Sequence, residues 1–311
     1  MPEPSEFAIV RHIESPPGLY SYLDWLDEET LAVQYRPGLM GALSARIWRL
    51  SVDGRSFEEM ELPKHPSCGA EGQNGFEAPS RLPDGRMGYV VACQAEAGPS
   101  EITMFLMAFD PISAEVEQLL EYPLPTFSVG TGGFMWNPTM DLGIMGNGRA
   151  YIDEQLYWYR ISGWEPLDVG LVQAYGPSWS PDGMSIAFIG SEEEGSPRTF
   201  SNYGLFLMNS DGGSPRVLLE GFHDTAGVSY SPDGQSLVFP GTFGAREGDR
   251  QGLWLYDLPT GRLKQLAEGV FGEARWAPDG ERMAVVQFLG PPGREREHRV
   301  AIIEVGPNFG R

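Results

Sequence analysis

Four aspartates of this 311-residue chain recur in one short motif, and carboxylates can bind a metal ion or transfer a proton. Each follows a proline and precedes a glycine; they are Asp84, Asp182, Asp233 and Asp279. Two interpretations compete: a ring of catalytic carboxylates, or four turn residues whose side chains accept hydrogen bonds from nearby backbone N–H groups. Because proline fixes φ and glycine accepts a positive φ, the motif predicts structural turns.

The residues around this motif also repeat. PSWSPDGMSIAFIG begins at Pro177 and VSYSPDGQSLVFPG at Val228, so an extended segment with an aromatic residue precedes each turn and an apolar strand follows it. Two further strands complete a unit of about 45 residues, which is typical of one four-stranded β-propeller blade. Recurrence at such intervals indicates an array of small units.

Six such units can be traced, so the sequence predicts an all-β fold, a six-bladed β-propeller of four-stranded antiparallel blades forming a single domain over residues 1–311. The last unit lacks its fourth strand, and we expect the N-terminal segment 8–13 to supply it and close the ring. The predicted blades are 19–62, 76–122, 133–171, 174–220, 225–267, and 272–305 with 8–13.

On this repeat the chain resembles the TolB-like, WD-repeat-like six-bladed propellers. The resemblance covers nearly the whole chain; it is strong in the four units with Pro-Asp-Gly and weak in the other two. It implies a bacterial protein, often outside the cytoplasm, that binds another protein or a small ligand at one face. The same repeat occurs in propellers attached to prolyl-peptidase-type hydrolases, but the Gly-x-Ser-x-Gly nucleophile motif of those enzymes is not present in this sequence.

Function in a propeller resides in the loops that the ring holds in place. We expect the face that carries the long loops between second and third strands to bind a partner, because it is rich in arginine and aromatic residues. The expected binding residues are Tyr35, Arg36, Arg198, Phe200, Tyr203, Phe243, Arg246, Arg250, Arg294, Arg296 and His298.

The alternative is an enzyme, a metal-dependent hydrolase or lactonase with its site at the channel mouth. It would need carboxylate, amide or imidazole ligands from several blades. The candidates are Asp24, Gln73, Asn74, Glu77, His223, Asp224 and Glu273. The four histidines lie in different segments without zinc spacing, so we expect no cofactor, while a divalent cation in the channel stays open.

The composition limits the classes of partner that the protein could bind. A formal net charge of −21 disfavours nucleic acid and anionic membrane surfaces, and it leaves two interpretations: a solubilising surface, or a field that attracts a basic protein. No apolar run is long enough to span a membrane. The first residues are polar and are no signal peptide. Following the resemblance, we nevertheless expect an extracytoplasmic protein, its signal peptide absent from this sequence.

Cys68 and Cys93 are the two cysteines. The first precedes the second predicted blade and the other ends the second strand of that blade, so both should approach the same edge. Either they form a disulfide, which would indicate an oxidising compartment, or they are two unrelated thiols.

Overall fold

The computed structural model describes thirteen segments of the chain: residues 9–36, 44–68, 74–94, 102–122, 134–139, 142–149, 152–160, 163–192, 203–213, 215–223, 226–243, 250–290 and 297–305. These residues form antiparallel β-strands joined by turns, beginning with β1 (Ile9–His12). Among them there is no helix that could cross a lipid bilayer.

Two four-stranded sheets follow, each with its strands in chain order. The first sheet contains β2 (Leu19–Trp25), β3 (Thr30–Arg36), β4 (Arg46–Ser51) and β5 (Phe57–Glu59). The second sheet contains β6 (Asn74–Arg81), β7 (Met87–Gln94), β8 (Ile102–Phe109) and β9 (Val116–Tyr122). Hairpin connections permit this order because successive antiparallel strands can be joined by tight turns.

The third sheet is built in the same way, and an eight-stranded sheet follows it. The third sheet contains β10 (Phe134–Trp136), β11 (Gly143–Arg149), β12 (Ile152–Arg160) and β13 (Gly163–Leu167). The eight-stranded sheet contains β14 (Gln173–Trp179), β15 (Ser185–Ser191), β16 (Tyr203–Asn209), β17 (Arg216–His223), β18 (Ser229–Tyr230), β19 (Ser236–Phe243), β20 (Arg250–Asp257) and β21 (Arg262–Glu268).

The eight-stranded sheet corrects the prediction of six separate four-stranded sheets. β17 pairs with β16 as far as Phe222, and its end also pairs with β19, Phe222 opposite Phe243 and His223 opposite Thr242. The fourth strand of one unit is therefore hydrogen-bonded to a strand of the next unit as well. Hydrogen bonding consequently joins two predicted sheets into one.

The last sheet contains β22 (Val270–Trp276), β23 (Arg282–Leu289), β24 (Glu297–Glu304) and, at its edge, β1. Ile9 pairs with Glu304 and His12 with Ala301, and the Ile13 N–H donates to the Val300 carbonyl at 3.0 Å. The segment predicted to supply the missing strand thus lies alongside β24. It covers an edge that would otherwise present unpaired backbone groups.

The sheets have a propeller-like arrangement, with the first strand of each unit next to the first strands of its neighbours. Each of these strands contacts the next in the chain, and β22 contacts β2. Apolar clusters fill the spaces between neighbouring sheets: Trp25 and Leu31 of the first sheet pack with Val286 and Ile302 of the last. This burial of both faces of each sheet supplies the main driving force for folding.

Candidate functional site

The first strands of three units change register at corresponding positions, where the alternation of side chains is locally altered. The shift falls between Tyr20 and Leu23 in β2, between Glu77 and Ser80 in β6, and between Phe271 and Ala274 in β22. A β-bulge of this kind re-aims the side chains beside it. Acidic groups of three neighbouring units lie at or just after these shifts: Asp24, Glu77 and Glu273.

The carboxylate of Glu77 is tied to the first sheet. The Arg36 guanidinium donates to Glu77 Oε1 at 2.9 Å, and the Glu77 side chain is 3% exposed. Next to this pair, the Ala78 N–H donates to Oε1 of Gln34, which is fully buried. The second sheet is therefore joined to the first by a salt bridge and a side-chain-to-backbone hydrogen bond.

The carboxylate of Glu273 ties the last sheet to the first. Glu273 forms an ion pair with Arg275, two residues along the same strand, and its other oxygen accepts a hydrogen bond from the Leu23 N–H at 3.1 Å. The Trp25 indole N–H donates to the Arg275 carbonyl at 3.0 Å. Trp25 thus adds a second hydrogen bond between the last sheet and the first.

Asp24 lies in β2 and binds backbone on both sides. Its Oδ1 accepts the N–H of Trp25 at 2.8 Å, and its Oδ2 accepts the N–H of Arg81 in the second sheet at 2.7 Å. Together the three carboxylates link the last, first and second sheets in a row.

Burial sets the protonation behaviour of this cluster, since desolvation disfavours the charged carboxylate. It raises the pKa of Glu77 and Glu273, although their arginine partners Arg36 and Arg275 act in the opposite direction. Burial likewise raises the pKa of Asp24, whereas the positive charge of Arg275 lowers it. The pKa of the Tyr22 phenol is raised as well, first by burial and then by the nearby charges of Glu273 and Glu77.

Backbone of two other units lies next to the Glu273–Arg275 pair. A Cβ added to Gly176 would lie 2.4 Å from the Cα of Gly227, and the Val228 N–H donates to the Gly176 carbonyl at 3.2 Å. A cavity of about 10 Å³ lies between these glycines and the Glu273–Arg275 pair. That volume holds about one water molecule.

The structure divides the binding residues predicted on the loop face into three groups. Tyr35 and Tyr203 are buried, with the Tyr35 hydroxyl donating to the Pro17 carbonyl at 3.1 Å and Tyr203 packed edge-on against Tyr175. Phe243, partly buried, packs against Trp254. These three side chains are therefore packed inside the protein and offer little surface to a partner.

The second group is at least partly exposed to solvent and consists of Arg36, His298 and Arg250. Arg36 holds Glu77, and the His298 ring nitrogen Nδ1 lies 2.8 Å from the Tyr20 carbonyl. Arg250 is exposed, with its guanidinium 5.5 Å from the ring centre of Trp254. A third group lies outside the described residues: Arg198, Phe200, Arg246, Arg294 and Arg296.

The candidate metal ligands do not come together in the described part of the chain. Asn74 and His223 are buried, Gln73 and Asp224 lie outside the described residues, and no set of three His, Cys, Asp or Glu side chains there is placed to hold a metal ion. The absence of a cofactor stays a prediction.

The aspartates of the repeated motif form the predicted turns. The carboxylate oxygen Oδ1 of each accepts the backbone N–H two residues later, at 2.8 to 3.1 Å. The pKa of Asp182 is lowered, chiefly because the Ser180 hydroxyl donates to its carboxylate at 2.6 Å. Their recurrence therefore has a structural explanation for Asp84, Asp182, Asp233 and Asp279.

Cys68 and Cys93 form a disulfide, with Cα atoms 5.0 Å apart. Both residues are buried among Phe76, Tyr89 and Phe105, between the first and second sheets. Of the two arrangements that the sequence left open, the structure has the bonded one.

Sequence reasoning did not identify the roles of Gln34 and Arg275 in the channel. Gln34 stands alone among apolar residues in Leu31–Tyr35, and a polar side chain in a buried strand could have indicated a partner across the sheets. Arg275 occupies the position before the repeated aromatic, where the units of Trp179 and Tyr230 have serine.

Comparison with known proteins supports the fold more strongly than any activity. No family model matches the chain. A putative TolB from Agrobacterium tumefaciens superimposes with a TM-score of 0.60 at 17% identity, covering 95% of this chain and 96% of that one. TolB from Acinetobacter baumannii gives a TM-score of 0.61 at 13% identity, over 89% of this chain and 65% of the other.

Curated relatives with sequence similarity match only in part. An uncharacterized peptidase, YuxL of Bacillus subtilis, is 28% identical over 123 residues, 39% of this chain and 18% of the peptidase. Dipeptidyl-peptidase 5 of Porphyromonas gingivalis is 30% identical over 111 residues, 33% of this chain and 16% of that enzyme. The matches thus span less than a fifth of either peptidase.

Proposed function

We propose that this protein is a non-catalytic scaffold that binds another protein through the loop face around its central channel. The observation that carries the proposal is the use of the channel carboxylates: Glu77, Glu273 and Asp24 each hold an arginine or a backbone N–H of a neighbouring strand. A catalytic carboxylate must instead reach a substrate proton or a metal ion. The TolB-like fold is in keeping with a binding role, but it does not by itself imply one.

We also propose that the sheets form one closed, six-bladed domain with the predicted blade boundaries. In this proposal the eight-stranded sheet comprises two blades that begin with β14 and β18, and the contacts of β14 with β18 and of β18 with β22 support that count. The contact of β22 with β2 and the pairing of β1 with β24 support closure. A closed ring would hold the loops of the binding face at fixed separations.

The partner we propose is a protein with a basic surface. A net charge of −21 increases the rate at which a basic protein is captured, while Arg250 and its aromatic neighbour supply a local contact of the kind found at interface centres. Long-range attraction and local contact make separable contributions, because only the first is strongly screened by salt.

A photo-reactive amino acid placed at one of two sites tests the binding face. The loop-face site is Arg250, and the control site is Asp211, an exposed residue in the short turn after β16. In native extracts we expect adducts with one partner protein from position 250 and none from position 211. Adducts from position 211 alone would contradict the proposal.

A second candidate function is a metal-dependent hydrolase or lyase acting at the channel. Partial matches to peptidases favour it, as does a structural likeness to an oligogalacturonate lyase solved in complex with manganese, with a TM-score of 0.56 at 12% identity over 90% of this chain and 75% of the lyase. Titration of purified protein with Mn²⁺ separates the two functions. Stoichiometric binding that disappears in Glu77→Gln would favour the enzyme over the scaffold.

We further propose an extracytoplasmic location, which the disulfide supports because such bonds persist in oxidising compartments. Protein taken directly from cells and treated with an alkylating agent should gain no label at Cys68 or Cys93 unless it is first reduced. Full labelling without reduction would contradict this location.

A further inference from the structure

A groove with an acidic rim runs along the outside of the molecule between the first and second sheets. Met60, Leu62 and Phe109 form its apolar part, and Glu58, Glu59 and Glu61 lie along it; its volume is about 160 Å³. Leu62 is buried, whereas Met60 and Phe109 keep partial exposure. We call this the outer groove. It lies on the side wall of the propeller, apart from the loop face.

A second, larger groove adjoins it at the lower end of the second sheet. This lower groove has a volume of about 480 Å³ and is lined by Arg86, Asp110, Glu115, Val116 and Glu117. The two grooves lie near each other, because Asp110 follows Phe109 in the chain and Val116 pairs with Phe109 across the sheet. Both are therefore within reach of one segment that passes the turn between β8 and β9.

An exposed apolar side chain lies in the turn that borders the lower groove. Ile112, between Asp110 and Glu115, is 95% exposed. The turn itself is well anchored, because the Asp110 carboxylate accepts the N–H of Ile112 at 2.8 Å and the hydroxyl of Ser113 at 2.9 Å. An isoleucine held out in solvent on a fixed turn loses little entropy when a partner covers it.

The two grooves carry more negative than positive charge. Arg86 is held by Asp84 and Glu117, both at 2.7 Å. Within the residues that the structure describes, no ion pair holds Glu58, Glu61 or Glu115, and one arginine, Arg49, lies among these carboxylates. The grooves thus present an excess of negative charge beside apolar side chains.

From this combination we propose that the two neighbouring grooves together are a second protein-binding surface, which takes an extended basic segment with apolar side chains between its lysines or arginines. Basic groups would pair with Glu58, Glu61 and Glu115, while apolar groups would cover Met60, Phe109 and Ile112. Charge complementarity of this kind directs the partner and fixes its register. This surface does not depend on the loop-face function proposed above.

A peptide titration with matched variants tests the proposal. The probe is a short synthetic peptide of alternating lysine and leucine, followed by fluorescence anisotropy, with a lysine–serine peptide of equal charge for comparison. The test variant is Glu58→Lys with Glu61→Lys. The control is Glu220→Lys with Glu268→Lys, exposed residues on β17 and β21 that change the net charge equally.

We expect the test variant to weaken the lysine–leucine peptide at least about tenfold and the control to weaken it less than about twofold. Ile112→Ser should weaken the same peptide and leave the lysine–serine peptide unaffected. Equal weakening by both charge variants would show that only the overall field attracts the peptide and would overturn the proposal, as would a wild-type protein that binds neither peptide. Arg250→Glu should leave peptide binding unchanged, which separates this surface from the loop face.

Discussion

At the scale of single residues, the repeated motif joins neighbouring units as well as turning the chain. The proline ring of one turn faces the glycine of the next: Pro138 approaches Gly183, and Pro181 approaches Gly234. Pro232 stands in the same relation to Gly280. A Cβ would meet the neighbouring proline in ordinary contact at Gly234 and Gly280 but too closely at Gly183, so Gly183 is required both for its positive φ and for the space it leaves.

Gly183→Ala and Gly85→Ala separate these two requirements. Both glycines have positive φ, at 70° and 89°, so each substitution should cost about 1 kcal/mol of unfolding free energy from backbone strain. A Cβ at Gly183 would also lie 2.9 Å from the Pro138 ring, whereas nothing lies within 4 Å of one at Gly85. Urea denaturation should therefore show a loss larger by about 1 kcal/mol for Gly183→Ala. Equal losses would contradict the role given to the proline.

The turn residues could be predicted from the sequence because their chemistry is local. Asp182 needs only backbone groups two residues away, which the Pro-Asp-Gly order already implies. The pairing of Glu77 with Arg36 joins residues far apart in the chain. It also depends on a register shift that no short motif predicts. The sequence named Asp24, Glu77 and Glu273 as candidate ligands, but it did not predict the arginine side chains and backbone N–H groups that these carboxylates bind.

At the scale of the strands, the sequence was most reliable where apolar alternation is strong. β11 has a weak strand signal in the sequence because three glycines interrupt Gly143–Arg149. The pairing of β17 with β19 was not predicted, because the sequence predicted a unit that ends at residue 220 and a separate one that starts at 225. Both features depend on pairing between strands, which a local pattern does not show.

The disulfide fastens the beginning of the second sheet to the end of β7. Cys68 and Cys93 are 25 residues apart, and closing a loop of that size contributes about 3 kcal/mol of stability. Cys93→Ser should therefore lower the unfolding free energy by about that amount, measured by urea denaturation. A reducing agent should produce the same loss in the wild-type protein and none in the variant; a wild-type curve indifferent to reduction would contradict the account.

At the scale of the whole molecule, buried carboxylates make stability depend on pH. The folded-state pKa values of Asp24, Glu77 and Glu273 are raised. These groups therefore contribute fully to the unfolding free energy below the ordinary carboxyl value of about 4.5, and this contribution is lost as pH rises through the raised values. Asp182, with a lowered pKa, loses its contribution as pH falls below its usual range.

Unfolding free energy should consequently rise as the solution is acidified from neutral pH towards the ordinary carboxyl range, then fall under stronger acid. Glu273→Gln should flatten the first part of this profile, because it removes one of the buried titrating groups. Chemical denaturation across pH provides the measurement. A profile that declines steadily from neutral pH, or one that Glu273→Gln leaves unchanged, would contradict the assignment.

The central claim is that the charged groups of the channel form pairs across neighbouring sheets. A double-mutant cycle of Arg36→Gln and Glu77→Gln tests it most directly, with unfolding free energy measured at neutral pH. Arg36→Gln alone should cost about 2 kcal/mol, because it leaves the Glu77 carboxylate buried without its guanidinium. In the Glu77→Gln background the same substitution should cost less than about 1 kcal/mol. An equal cost in both backgrounds would show that the two side chains are independent and would contradict the claim.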